Sequence, residues 1–115
     1  IRRAPVTCSP QTPIQQALET MHSEHVGSIV ITDDQQRPLG VFTLHDLLKQ
    51  VATSGLKHDA PIARVMSSPA LALSPRQSAY EAALLMTREG FGHVCVTESG
   101  RLVGVDAGTA RIPKK

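Results

Sequence analysis

GVFTLHDLL at residues 40–48 is the stretch that decides the fold. It completes a β-rich run, PLGVFT at 38–43, in which Val, Phe and Thr favour extended backbone. The apolar residues that follow recur at helical spacing and are Leu44, Leu47, Leu48 and Val51. The sequence therefore predicts a strand that passes directly into a helix over 44–52, with Thr43 at the junction.

The same pattern occurs again 65 residues further along the chain. Residues 8–41 align with 73–105, with a one-residue gap in one turn. The identical pairs are Ser9-Pro10 with Ser74-Pro75, Ala17 with Ala82, Met21 with Met86, Glu24 with Glu89, Gly27 with Gly92, Thr32 with Thr97, Arg37 with Arg101 and Gly40-Val41 with Gly104-Val105. A chain of 115 residues suits one compact domain or two small subdomains that share a core. The duplication favours the second arrangement, as a pseudo-two-fold pair.

Each copy contains a helix with its own start signal. In the first copy, Thr12-Pro13-Ile14-Gln15 is a capping box with Pro at the first helical position, and apolar spacing continues to about Glu24. In the second copy Ser78 is the cap, Glu81 follows three residues later, and an alanine-rich helix is expected over 79–87.

Two strands joined by a polar turn follow each helix. The predicted strands are 27–32 and 38–43 in the first copy, and 92–97 and 101–105 in the second. An extended segment precedes each helix, and residues 54–61 form a linker before a short helical turn that ends at Met66. The order in each copy is thus extended segment, helix, strand, turn and strand.

Composition and charge exclude several classes of function. Twelve basic and ten acidic side chains leave a net charge of +2, which is too weak a field to indicate nucleic acid. No apolar run is long enough to span a membrane. The first residue is Ile and no signal peptide opens the chain, so we expect a fragment of a longer cytoplasmic protein.

Catalytic and metal-binding motifs are absent from the sequence. His22 and His25 lie three residues apart, but no further ligand has the required spacing. Cys8 and Cys95 have no CxxC spacing and are interpreted as reduced, unreactive thiols. No nucleophile elbow, Walker or dinucleotide motif occurs. We therefore expect a protein that is not an enzyme and requires no cofactor.

The duplicated unit with GVFTLHDLL at 40–48 resembles the CBS domain, and the tandem resembles a CBS pair or Bateman module. The resemblance covers about residues 3–105. It implies an α+β fold of two β-α-β-β-α repeats, assigned to 1–57 and 58–115, with the second repeat lacking its last helix. It also implies a regulatory fragment of a larger bacterial-type signalling protein that controls an effector domain absent from this chain.

The resemblance further implies an adenosine-containing ligand, AMP, ADP, ATP or S-adenosylmethionine, bound between the copies. Thr43 would contact phosphate, and the carboxylate of Asp46 would accept the ribose hydroxyls. Thr43 and Asp46 also have the spacing of an ordinary helix cap, so a purely structural role can account for both residues.

The opposite copy would complete the pocket in the family. Matching by motif assigns Ser68 and Ala70 to the base, Phe91 and Gly92 to the adenine ring and its close backbone approach, and His93 to phosphate. A lone His on a strand is more often packed or solvated than a ligand contact, so His93 has two interpretations.

The second copy departs from the pattern at the helix that should close it. It reads GVDAGTA at 104–110, so that Ala107 replaces Thr43 and Ala110 replaces Asp46. The tail that follows has no apolar periodicity. The related pocket is expected from Val6, Thr7, Val26, Gly27 and Ser28. It therefore lacks the hydroxyl and the carboxylate that would bind phosphate and ribose. We expect at most one nucleotide site.

A module that binds no ligand and only mediates dimerisation is the alternative function. CBS pairs frequently associate through their helices, which makes a homodimer the expected assembly. In this chain the helices at 44–52 and 79–87 are the candidate faces.

Overall fold

A computed structural model describes residues 2–53, 55, 57–68, 70, 72–76, 80–81, 84 and 93–107. The chain divides into two compact units. The first unit is Val6–Ala70, and the second combines Ile1–Pro5 with Leu71–Lys115. These units are defined by contacts within the structure, whereas the assignment of the two repeats to 1–57 and 58–115 rests on the duplicated sequence. That assignment remains a proposal.

Seven strands, two α-helices and one 3-10 turn have both bounds within the described residues, and Tyr80, Glu81 and Leu84 are α-helical as well. In chain order they are β1 (Arg2–Arg3), β2 (Thr7–Cys8), α1 (Ile14–Ser23), β3 (Ser28–Thr32), β4 (Pro38–Thr43), α2 (Leu44–Thr53), the 3-10 turn (Ile62–Arg64), β5 (Ala72–Leu73), β6 (His93–Glu98) and β7 (Arg101–Ala107). This mixture confirms the α+β class. The predicted passage from strand 38–43 into a helix is confirmed, as is the short helical turn after the linker.

The first unit is built on a three-stranded sheet in the order β2-β3-β4. β2 runs parallel to β3, and β3 forms an antiparallel hairpin with β4. Apolar side chains of α1, β3 and β4 and of residues 60–65 form its core, whose members are Ile14, Ala17, Met21, Ile29, Ile31, Phe42, Ala60, Ile62 and Val65. Each large side chain buried in this way contributes about 1.5–3 kcal/mol of transfer free energy.

The start of α1 corrects the predicted capping box. Pro13 is the N-cap and makes no side-chain capping bond. The free amides of the first turn are satisfied from the linker instead: Ile14 N–H donates to the carbonyl of Ala60 (2.9 Å) and Gln15 N–H to that of His58 (2.8 Å). The Thr12 hydroxyl bonds to Ser9 rather than to the helix. Backbone carbonyls distant in sequence thus replace the expected side-chain cap.

Residues 57–68, which we call the linker segment, belong to the first unit. Ile62 N–H donates to the carbonyl of Thr12 (2.7 Å), and the Ile62 side chain is fully buried in the core. Further along, Ser67 and Val41 exchange backbone hydrogen bonds in both directions (2.8 and 3.0 Å). The linker segment is therefore an ordered part of the unit and not a free connection.

Glycine at position 40 is what allows the linker segment to approach β4. A Cβ atom built on Gly40 would lie 2.7 Å from the backbone oxygen of Ser67 and 2.7 Å from the sulfur of Met66. Real Cβ atoms do not approach other atoms this closely, and a backbone oxygen cannot move aside as a side chain can. Any side chain at this position would push Ser67 away from Val41.

The second unit has a four-stranded sheet in the order β1-β7-β6-β5. No sequence pattern predicts β1, whose two residues pair antiparallel with the end of β7. The β6–β7 hairpin turns through Ser99 and Gly100, both at positive φ (53° and 80°), which is the requirement of a tight two-residue turn.

Strand register shows that the sequence repeat is also a structural repeat. In the first unit Thr7 lies opposite Val30, and in the second Ala72 lies opposite Cys95, so both partners are shifted by 65 residues. The register irregularity of each hairpin also falls at equivalent places, Ile31/Thr32 and Val96/Thr97. The predicted helix at 79–87 and the tail at 108–115 lie largely or wholly outside the described residues.

Replacing Gly40 by alanine should destabilise the chain. Its Cβ would collide with the Ser67 carbonyl, and overpacking of this kind costs about 1–3 kcal/mol. Thermal denaturation followed by circular dichroism measures the effect. Gly55→Ala is the matched control, because nothing lies within 4 Å of a Cβ at that position. Equal melting temperatures for the two variants would contradict the close approach.

Candidate functional site

Thr43 and Asp46 form a reciprocal cap where β4 passes into α2. The N–H of Asp46 donates to Thr43 Oγ1 (3.2 Å). In return Asp46 Oδ2 accepts from the Thr43 N–H (2.9 Å) and from the Thr43 hydroxyl (3.1 Å). This is the geometry of a capping box, with Asp in place of Glu. The structural interpretation of the pair is confirmed, and a ligand role for the same two side chains stays a prediction.

Ser67 supplies a further donor to the same carboxylate. Its hydroxyl donates to Asp46 Oδ1 (3.1 Å), across 21 positions of sequence. All three side chains are half-buried, so their hydrogen bonds are partly shielded from water. Sequence reasoning missed Ser67, which is adjacent to the predicted Ser68. The Ser-Ser pair at 67–68 gives no local signal of which hydroxyl faces α2.

The first turn of α2 has fewer unpaired backbone N–H groups than the start of a helix without a cap. Leu44 N–H donates to the carbonyl of Gly27 (3.2 Å), and Asp46 N–H is taken by Thr43 Oγ1. These two amides therefore already have acceptors within the chain. The hydroxyls of Thr43 and Ser67 are side-chain donors at this junction that can rotate, and that of Thr43 is the one at the helix start.

The remaining predicted residues are placed as follows. Ser68 is exposed and Ala70 half-buried, both at the end of the first unit. Phe91 and Gly92 lie outside the described residues. His93 belongs to the second unit, in which its backbone begins β6 and pairs with Ala107. Ligand contacts of these residues remain predictions. Of the predicted site residues, Thr43 and Asp46 are brought together by a side-chain hydrogen bond.

Ala107 occupies in the second unit the place of Thr43 in the first. Thr43 lies opposite Ser28 in the β3–β4 hairpin, and Ala107 lies opposite His93 in the β6–β7 hairpin. The register thus supports the alignment of these two residues made from the sequence. An alanine has no hydroxyl and provides no cap. Ala110, which aligns with Asp46, lies outside the described residues.

The residues predicted for the related pocket lie in the first unit. Val6 and Thr7 are at the start of its sheet, and the Val6 carbonyl accepts from Val30 N–H (2.9 Å). Val26 and Gly27 precede β3, which begins at Ser28. A ligand role for these residues stays a prediction.

Both thiols have pKa values that keep them protonated near neutral pH. Burial raises the pKa of Cys95 to about 11. Burial also raises the pKa of Cys8, against a smaller opposing effect of its hydrogen bond with Thr12. Within the described residues no group of three or more His, Cys, Asp or Glu side chains is placed to hold a metal ion. Over the same residues, neither helix is long and apolar enough to cross a bilayer.

A duplicated sheet-and-helix unit, with a Thr-x-x-Asp cap after the last strand of the first copy, defines the class of this protein. The sequence pattern of the CBS domain family matches residues 1–53 and 62–105. The chain belongs to the CBS domain family, and its two matched segments make it a tandem CBS module. CBS-domain proteins are generally regulatory modules rather than enzymes.

Relatives and solved structures agree with this assignment. An uncharacterised protein of Methanopyrus kandleri is 31% identical over 106 residues, which cover 90% of this chain and 54% of the relative. A CBS-domain protein from Agrobacterium tumefaciens is 32% identical with a TM-score of 0.83, covering 91% of this chain and 84% of that one. A CBS domain protein from Pyrobaculum aerophilum, complexed with AMP, is 30% identical with a TM-score of 0.83, covering 93% and 82%.

The length of the chain differs from that of its curated relatives. It spans 54% of the M. kandleri protein and 58% of a 17.7 kDa protein of Acidianus ambivalens that is 29% identical to it. The matched segment is therefore only part of each of these proteins, and the activity of a whole relative is not assigned to it.

Thr43→Ala should lower stability by about 1 kcal/mol, the usual cost of losing an N-cap side chain. The substitution removes both hydrogen bonds of the hydroxyl with Asp46. Thr20→Ala on α1 is the matched control, because its hydroxyl bonds back to the carbonyl of Gln16 within the helix and alanine is the better helix former. Urea denaturation measures the free energy of unfolding of both variants and of the wild type. A loss in Thr20→Ala as large as that in Thr43→Ala would contradict the capping role.

Proposed function

We propose that this tandem CBS module binds an adenine nucleotide through Thr43 and Asp46 and thereby controls an attached effector domain. The observation that carries the proposal is the half-buried carboxylate of Asp46 at the start of α2, held by Thr43. A relative of the same fold, 30% identical over most of the chain, is an AMP complex, which supports this ligand class.

Asp46 suits the ribose of such a ligand. An ionised carboxylate accepts hydrogen bonds and donates none, and its two oxygens can receive the two adjacent hydroxyls of a ribose. Hydrogen bonds to a charged acceptor are also stronger than those between neutral groups. AMP, ADP, ATP and S-adenosylmethionine all contain this diol, so Asp46 selects for the nucleoside and not for one member of the group.

Thr43 suits the phosphate. Its hydroxyl donates to Asp46 Oδ2, and rotation about one bond redirects the proton toward an anion near the helix start. The positive end of the α2 dipole favours an anion at this place. Contacts to the base and the remaining phosphate oxygens are proposed for Ser68, Ala70, Phe91, Gly92 and His93.

One site per chain is proposed. Ala107 stands in the second unit where Thr43 stands in the first, and Ala110 aligns with Asp46, so the related pocket has neither a hydroxyl nor a carboxylate at these positions. The nucleotide acts on the effector domain by shifting the population of the module's conformations, to the extent that its affinity differs between them. A cytoplasmic location fits an intracellular nucleotide.

A thermal-shift titration with AMP, ADP, ATP and S-adenosylmethionine tests this function. A ligand present at about a hundredfold its dissociation constant stabilises the folded state by about 2.7 kcal/mol. We expect a rise in melting temperature with at least one of the four, and its loss in Asp46→Ala. Asp34→Ala, at an exposed turn position, is the control and should keep the rise. No rise with any ligand, or a rise retained in Asp46→Ala, would contradict the proposal.

The alternative is a dimerisation module without a ligand, and one surface feature favours the dimer. Leu44 and Leu48 are 50% and 69% exposed. They lie four residues apart on α2 and therefore on one side of the helix. An exposed pair of leucines is a candidate contact for a second copy of the chain.

Leu48→Lys should shift the module toward the monomer if α2 mediates self-association. A buried lysine without a partner is strongly unfavourable in an apolar interface. Sedimentation equilibrium measures the change, and Gln16→Lys, which adds the same charge on the exposed side of α1, is the control. If both variants have the wild-type mass, α2 is not the dimer contact.

A further inference from the structure

Ser67 is held more firmly than an ordinary linker residue. Its N–H donates to the Val41 carbonyl (2.8 Å) and its carbonyl accepts from Val41 N–H (3.0 Å), so its backbone is fixed on β4. Gly40 permits this approach. Because the backbone of Ser67 is held on β4, its hydroxyl is placed 3.1 Å from Asp46 Oδ1. The linker segment thus contributes a side chain to the junction of β4 and α2.

The carboxylate of Asp46 has a limited number of acceptor positions. A carboxylate offers about four, two on each oxygen. Three are taken by protein donors: the Thr43 N–H and hydroxyl are on Oδ2, and the Ser67 hydroxyl is on Oδ1. When the Thr43 hydroxyl turns to a phosphate, each oxygen keeps one protein donor and has one position free. That is the number of acceptors a ribose diol requires.

We infer that Ser67 is a positioning residue for the ribose site, which fixes the plane of the Asp46 carboxylate so that both free acceptor positions face the ligand. This inference rests on the proposed function. The Thr43 N–H fixes one oxygen and the Ser67 hydroxyl fixes the other. Without Ser67 the carboxylate is held at Oδ2 alone, and Oδ1 is free to turn away from the second ribose hydroxyl. The linker segment thereby sets the affinity of the site for ribonucleosides.

The hydrogen bond itself is tested first, without ligand. A double-mutant cycle combines Ser67→Ala with Asp46→Ala and measures unfolding of the four proteins in urea. If the two side chains interact, the double variant is destabilised by less than the sum of the single variants. Additive losses would show that no such bond exists in solution and would overturn the inference. Ser23→Ala, a distant exposed Ser whose hydroxyl bonds the carbonyl of Thr20, is expected to be additive with Asp46→Ala.

The positioning role is tested with AMP and 2′,3′-dideoxy-AMP, which lacks both ribose hydroxyls. We expect Ser67→Ala to weaken AMP binding by about threefold to tenfold, the effect of one hydrogen bond, and to leave binding of the dideoxy analogue unchanged. Ser67→Thr, which keeps the hydroxyl, should restore AMP binding. Calorimetric titration of the wild type and of each variant provides the dissociation constants.

Other outcomes separate the two levels of the proposal. Equal weakening of both ligands in Ser67→Ala would show a merely structural role, and unchanged AMP binding would show no role; either result overturns the inference while the proposed function stands. If the wild type binds AMP and the dideoxy analogue equally, Asp46 does not receive the ribose, and the inference fails together with that part of the proposed function. If the wild type binds no adenine nucleotide, the proposed function fails and the inference with it.

Discussion

The first unit depends on the backbone hydrogen bonds between Ser67 and Val41, which form because Gly40 has no side chain to block the approach of Ser67. This pairing lies next to the core because the linker segment that leads to it buries Ile62 and Val65 beside α1. The same segment supplies the carbonyls that cap α1. A glycine on β4 thus decides whether one stretch of chain completes the core, caps a helix and reaches the junction at Thr43.

The cap of α2 joins stability and the proposed ligand site in the same atoms. Asp46 receives three protein donors, so its carboxylate is oriented by the protein itself. Orientation in advance lowers the entropy lost on binding. It also means that substitutions at this junction change folding and binding together, and that only ligand-specific comparisons separate the two.

The sequence predicted what depends on local pattern. The strand at 38–43, the helix that follows it and the 65-residue repeat all arise from neighbouring residues or from internal similarity, and the CBS resemblance is confirmed by the family match. The predicted cap of α1 was wrong because its true partners, the carbonyls of His58 and Ala60, lie more than forty residues away. Strand β1 and the Ser67 contact were missed for the same reason, since neither has a local signature.

The two units differ where function is proposed. Their hairpins share register, yet one ends in a hydroxyl-bearing Thr43 and the other in Ala107. Loss of the cap and of its acceptor in one repeat leaves the fold of the sheet intact, because strand pairing uses backbone groups. The proposed site therefore belongs to one of the two repeats.

A crystal structure of the module with AMP tests the central claim most directly. The account predicts both ribose hydroxyls within hydrogen-bonding distance of the Asp46 carboxylate, the Thr43 hydroxyl turned to the phosphate, and the Ser67 hydroxyl still on Oδ1. AMP bound elsewhere, or a ribose out of reach of an Asp46 carboxylate that keeps all three of its protein donors, would contradict it.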